Sequence, residues 1–290
     1  MRDYVIMTDS CCDMTDRMAQ ELEVEVLPLG FQMDGQDCRN WLDGRDISFP
    51  DFYNRLRSGV MATTSAVSVG DFQTKMREVL DQGKDVLCVS FSSALSTTYQ
   101  SACIAADDLR PEFPDAKIYV VDSLCASLGQ GLLVYLCAQE RKLGRSIDEV
   151  HTFALMTRGH VCHWFTVEDL NHLKRGGRIS AATALFGTML SIKPVMHVDD
   201  GGHLTPVSKA RGRRSSLLAL VDRMEQTAIE PAAQTVFISH GDCENDALFV
   251  AEEIRRRFDT KQIYINYVGP VIGNHSGPGT VALFFLGGKR

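Results

Sequence analysis

No apolar run in the chain approaches the roughly 18 residues that a membrane-spanning helix requires. Met1 leads directly into the strand-like "YVIMT", without the basic stretch and cleavage site of a secretory leader. Together these absences set the expectation of a cytoplasmic protein with no membrane span. The nine cysteines form no CxxC pair, and several sit inside apolar runs such as "DVLCVSF", so they read as reduced, buried small hydrophobes. The "HVCH" run from His160 to His163 has no second ligand pair at finger-like spacing, which argues against a metal site. There is no GxxxxGKS or GxxxxGKT with which to cradle a nucleotide, and "GQGLL" at 129–133 lacks the third glycine of a dinucleotide fingerprint. Asp9 in "MTDS" could serve as a phosphotransfer nucleophile, but Cys11 stands where such enzymes commonly place a second acid. A net charge of −7 disfavours a nucleic-acid partner.

With 290 residues, 44% of them hydrophobic and 23% charged, the chain has the composition of an ordinary globular protein with one large or two ordinary domains. Up to about residue 160, apolar runs at 4–8, 24–29, 85–91 and 117–122 alternate with helix-like segments at about 13–22, 69–81, 97–110, 129–143 and 146–158. That alternation predicts a mostly parallel sheet covered by helices. Beyond it, runs at 193–199 and 203–209 flank the turn signal "DDGG", helix-like segments follow at 211–226 and 244–257, and strands are expected at 235–240, 262–268 and 280–286. The fold class expected is therefore α/β in two domains, an N-terminal mostly parallel α/β domain over 1–161 and a C-terminal α+β domain over 162–290 with a mixed or antiparallel sheet. With no low-complexity linker, the two should pack closely around a ligand cleft.

"SFSSALSTTYQSAC" at 90–103 is dense in hydroxyls but contains no acid, base or histidine. A hydroxyl nucleophile needs a proton acceptor, and none is near in sequence. The loop instead precedes a helix whose start, near Ser96, Thr97 and Thr98, offers unpaired N–H groups and the positive end of a dipole. An ordinary Ser/Thr N-cap is the alternative. "ATTSAVSVGDF" at 62–72 repeats the design, with Thr63, Thr64, Ser65 and Ser68 expected in a loop before another helix. Two such loops can pinch one small anionic head. Between Asn171 and Arg214, eight basic residues face only two acidic ones, which suggests an anion or acidic-partner surface.

Eight segments in register along the chain, "TDSCCDM", "WLDGRDIS", "TTSAVS", "SSALSTTYQSA", "VDSLCASLGQG", "LKRGGRIS", "IKPVMHVDDGGHL" and "GPVIGNHSGPG", together resemble the DegV family. The resemblance implies a two-domain α/β protein that encloses a long-chain fatty acid. Such a protein has no catalytic site and no other cofactor of its own; it serves as the lipid-binding subunit that presents the acid to a separate ATP-binding kinase subunit for acyl phosphate formation. By position it implies Thr64 and Ser96 as carboxylate ligands, with Ser65 and Thr97 supporting them. It ties Arg175, Arg178, Lys209, Arg211 and His275 to phosphoryl transfer or partner docking. The chain departs from the family pattern at "TSAVS" and at Thr97, which replaces a glycine; a Cβ there would constrain the loop if positive φ were needed. A lipid carrier or regulator without a kinase partner is the rival reading. Burying about 14 methylenes gives a gross gain near 11 kcal/mol before association costs, so the tail should supply most of the affinity and the hydroxyls the orientation.

Overall fold

A computed structural model describes residues 2–180 and 192–290. The first sheet has the order β2-β1-β6-β7, all parallel, from β1 (Tyr4–Asp9), β2 (Val24–Leu27), β6 (Asp85–Ser90) and β7 (Ile118–Asp122). Every residue of β6 is buried, the pattern of a central strand covered on both faces. Helices α1 (Asp16–Glu21), α3 (Val69–Asp81), α4 (Thr98–Leu109), α5 (Leu128–Lys142) and α6 (Ile147–Thr157) accompany it. Their boundaries are written in side chains. Ser68 caps α3, whose buried Phe72, Met76, Val79 and Leu80 recur at helical spacing, and Ser146 closes a capping box with Glu149 at the start of α6.

The second sheet has the order β10-β9-β8-β13-β11-β12, from β8 (Val161–Thr166), β9 (Ile192–Val198), β10 (Leu204–Arg211), β11 (Thr235–His240), β12 (Gln262–Tyr267) and β13 (Val281–Leu286). All its pairings are antiparallel except β11 with β12, so the sheet is mixed. The "DDGG" hairpin joins β9 to β10, and α8 (Arg213–Thr227) and α9 (Glu244–Phe258) bury Leu217, Leu220, Ala247 and Ile254 against one face of the sheet. Helix α5 lies between the two sheets, buried nearly all round through Leu128, Leu132, Leu133, Cys137 and Ala138, and touches β1 and β6 on one side and β8, β11 and β13 on the other.

Residues 62–65 form a strand, not the expected loop. β5 (Ala62–Ser65) pairs antiparallel with β3 (Gly30–Met33), which pairs in turn with β4 (Gln36–Arg39) in a small third sheet. The run "ATTS" lacks apolar alternation, and its strand state is imposed by the pairing with Phe31 and Met33. Helix α2 (Phe49–Arg57), capped by Ser48, and the short α7 (Asn171–Arg175) and α10 (Pro270–Ser276) complete the α-helices of the described residues and were not anticipated from the sequence.

Candidate functional site

A cavity of about 420 Å³ opens between the two main sheets, within the usual range of small-molecule sites. Its mouth is formed by the exposed Ser65, Ser93 and Thr97, and it runs inward to buried Phe165, Phe284 and His163. The cavity brings together Thr64, Ser65, Ser96, Thr97, Arg178 and His275 on its lining. Arg175 and Arg211 are exposed and do not line it.

Each of these side chains is held from several directions. Thr64 Oγ1 lies 2.9 Å from His275 Nε2. Asn274, beside His275 on α10, pins that helix to β5 by accepting from the Ala62 N–H at 3.0 Å and donating to the Ala62 carbonyl at 2.8 Å. Ser96 Oγ accepts from the Thr98 N–H at 3.2 Å and sits 2.9 Å from Thr98 Oγ1, which ties it to the first residue of α4. Thr97, just before α4, has φ −78, so no positive φ is required and the Cβ in place of the family's glycine introduces no strain there.

Among the described residues of the lining, Arg178 is the one permanently charged side chain. Burial, reinforced by the nearby Arg178 guanidinium, pushes the His275 pKa down to about 4, so the imidazole that faces Thr64 is uncharged at physiological pH. Arg178 stands on the wall, its Nε donating to the Leu95 carbonyl at 3.2 Å and its Nη1 to the Gly176 carbonyl. The basic stretch expected as one positive face is partly neutralised as well: Lys193 pairs with Glu168, and Arg213 with Glu168 and Asp246. Arg175 rests 3.2 Å from His172 Nδ1.

Sequence reasoning missed a second polar cluster on the same cavity. Asp13, in the left-handed region at φ 50, is fully buried and accepts from Ser127 Oγ at 2.5 Å and from the Gly269 N–H at 3.0 Å. Ser127 Oγ lies 2.9 Å from Ser239 Oγ, and both serines line the cavity. Burial raises the Asp13 pKa to about 7 and that of neighbouring Asp9 to about 6. Asp9 binds the Cys11 and Phe91 N–H groups and the Ser90 hydroxyl, shaping the strand ends behind the site. No local signal marks these partners, since residues 13, 127, 239 and 269 meet only through the fold.

His163 stands on the inner part of the lining. His163 Nδ1 contacts the Val161 carbonyl at 2.8 Å, and its Nε2 accepts from the Ala126 N–H at 3.2 Å. Behind it, Arg290 donates to the carbonyls of Val161, Leu124 and Asp199 and to Cys125 Sγ. His160, the other histidine of "HVCH", contacts the Gly287 carbonyl. Among the described residues, no group of three or more His, Cys, Asp or Glu could hold a metal ion.

Gly176 exposes the dependence of the mouth on close packing. A Cβ there would stand 2.1 Å from His275 Nδ1, although its backbone, at φ −73, is open to any residue. Gly176→Ala is therefore expected to push the His275 ring away from Thr64 and to lower stability by about 1–3 kcal/mol. An unfolding curve matching that of the parent protein would contradict this account.

A family model described as "Uncharacterised protein, DegV family" matches residues 3–287. A DegV domain-containing protein of Clostridium perfringens is 45% identical over 290 residues, covering 100% of this chain and 99% of its own length. A DegV family protein from Thermus thermophilus, whose solved structure is described by its fatty acid binding, superposes with a TM-score of 0.88 at 29% identity, over 99% of this chain and 100% of that one. The fatty acid kinase B3 protein of Streptococcus pneumoniae, solved loaded with linoleic acid, shares the fold with a TM-score of 0.84 at 20% identity, over 98% of this chain and 99% of that one.

Proposed function

The chain belongs to the DegV family, and on that premise we propose that it binds a long-chain fatty acid in the cavity and presents the carboxylate to a separate ATP-dependent kinase subunit, which forms the acyl phosphate. The observation that carries this reading is the polarity of the cavity: hydroxyls of Thr64, Ser65, Ser96 and Thr97 gather at its mouth, and Leu29, Phe165, Leu173, Val271 and Phe284 line its interior. Thr64 and Ser96 hold the carboxylate in this reading, and Ser65 and Thr97 support them.

Such a head site suits an acid that must still react. An ionised carboxylate needs no base to remove a proton before it attacks a phosphoryl group, so the neutral His275 is not required as a general base and is left to orient Thr64. Neutral donors orient the carboxylate without burying it in a multidentate ion pair, and the uncharged His275 fixes the Thr64 hydroxyl. Arg178, on the wall, is the cation closest to the chemistry; Arg175 and Arg211, both exposed, are the residues we assign to partner docking. The reading divides the chain at residue 161. The first part supplies the hydroxyls, and the second covers the acyl chain and carries the basic partner face.

Native mass spectrometry of the purified protein tests the first half of the proposal, with an adduct of long-chain fatty acid mass as the expected result. Addition of the cognate ATP-binding subunit tests the second, because only a kinase partnership yields ATP-dependent acyl phosphate. Arg175→Glu combined with Arg211→Glu is expected to reduce that product at least tenfold while the adduct persists. An adduct with no acyl phosphate under any condition would instead favour a carrier.

A further inference from the structure

The Asp13–Ser127–Ser239 cluster is out of place in a cavity meant only for a hydrocarbon tail. Hydroxyls on an apolar wall weaken tail burial, and this pair is maintained at a cost. Ser127 occupies φ 53, ψ −145, a backbone region open chiefly to glycine, and such outliers cost on the order of 1–3 kcal/mol. Its neighbours over-determine it. Ser127 Oγ is tied to Asp13 Oδ2 and Ser239 Oγ, while Asp13 is anchored by the Gly269 N–H, and its carbonyl accepts from Asn266 Nδ2 at 2.8 Å. A third hydroxyl of the lining stands beside His275, nearer the mouth. Ser276 Oγ is buried, lines the cavity and has no hydrogen-bond partner; Thr280 Oγ1 donates to the Ser276 carbonyl, two residues before the Ala282 that faces Ser239.

The cluster lies well inside the cavity. Gly269, bonded to Asp13, precedes α10, and His275 of the mouth lies six residues further along, a separation of about 9 Å at the helical rise. At roughly 1.3 Å advance per carbon for bonds near 1.5 Å, that span corresponds to about seven carbons of an extended chain. The hydrogen-bond chain also dictates what it can accept. With Asp13 ionised, Ser127 donates to it and Ser239 donates to Ser127, which leaves the Ser239 lone pairs free for an incoming O–H. With Asp13 protonated the chain can reverse, and Ser239 then offers its proton. A ligand hydroxyl, both donor and acceptor, satisfies either arrangement.

We propose that the Ser127–Ser239 pair is a subsite for a hydroxyl on the middle of the acyl chain, so that the protein prefers mid-chain hydroxylated fatty acids to their unsubstituted counterparts. This inference rests on the fatty-acid reading of the cavity and narrows its substrate class.

The test is competition on the delipidated full chain between equimolar octadecanoic acid and 10-hydroxyoctadecanoic acid, with bound masses read by native mass spectrometry. The hydroxy acid is expected to predominate about fivefold, the worth of one added hydrogen bond, and 3-hydroxyoctadecanoic acid, whose hydroxyl stops near the mouth, is expected to show no such advantage. Ser239→Ala should bring the ratio to about one with octadecanoic acid still bound, which shows that the variant is folded. Equal binding of the two acids by the parent protein would overturn the subsite while leaving the fatty-acid cavity intact. Retention of the preference in Ser239→Ala would also overturn it. Failure to bind either acid would overturn the functional reading together with the subsite.

Discussion

Asp13→Ala is expected to destabilise the protein by roughly 2–5 kcal/mol at pH 5.5, the largest single effect on folding among the predictions made for this chain. The Gly269 N–H loses its acceptor and the Ser127 hydroxyl one of its two partners in a buried setting where a cavity also opens, and a stranded buried group costs about 1–3 kcal/mol. Denaturant unfolding measures the difference, and a loss below about 1 kcal/mol would show that the network contributes little. Asp13→Asn isolates the titration. The folded pKa, up to about 7 from an ordinary 3.8, means that burial favours the neutral carboxyl. Stability from this group is therefore fully present in acid below pH 4 and is lost as pH rises through about 7. The stability difference between the parent and Asp13→Asn should shift against the parent across that window. Asp9, raised to about 6, contributes in the same direction in both proteins. His275, depressed to about 4, contributes in the opposite sense, losing stability as pH falls from 6.5 through 4, and likewise cancels in the difference.

Ser96→Ala is expected to reduce acyl phosphate formation at least a hundredfold with the kinase subunit supplied, and to leave the folded state close to its parent. Ser96 Oγ accepts only from Thr98 at the start of α4, and it is only half-buried, so its removal costs about 1 kcal/mol of stability or less. Its proposed contribution is to position the carboxylate, and an acid that is bound but turned by an ångström reacts far more slowly. Turnover within tenfold of the parent would remove Ser96 from the head site. The apolar tail contacts are untouched, so the bound acid should still appear by native mass spectrometry.

The parallel sheet, the second mixed sheet and the covering helices were legible because apolar runs and helical periodicity are local properties. The 69–81 helix coincides with α3 to the residue, since Ser68 caps it and Phe72 and Met76 mark its inner face. The β3–β4–β5 sheet was not legible. Its strands are four residues long, and β4 and β5 are polar, so only their mutual pairing defines them. In the site, the hydroxyl clusters at 63–65 and 96–97 could be read because they are dense in sequence. Arg178 was read as a partner-facing or phosphoryl-transfer residue, and the structure adds that it stands on the cavity wall. The Asp13–Ser127–Ser239 cluster combines residues more than a hundred positions apart, each unremarkable in its own segment, and no short-range pattern could have assembled it.

Helix α5 has a bearing on how any occupant arrives. Because it is wedged against strands of both main sheets, the halves of the molecule cannot swing apart like jaws without tearing out the middle of the core. On the proposed reading, a fatty acid then threads inward end-on, its hydrocarbon tip leading past Ser65, Ser93 and Thr97, and comes to rest with the carboxylate last at the doorway.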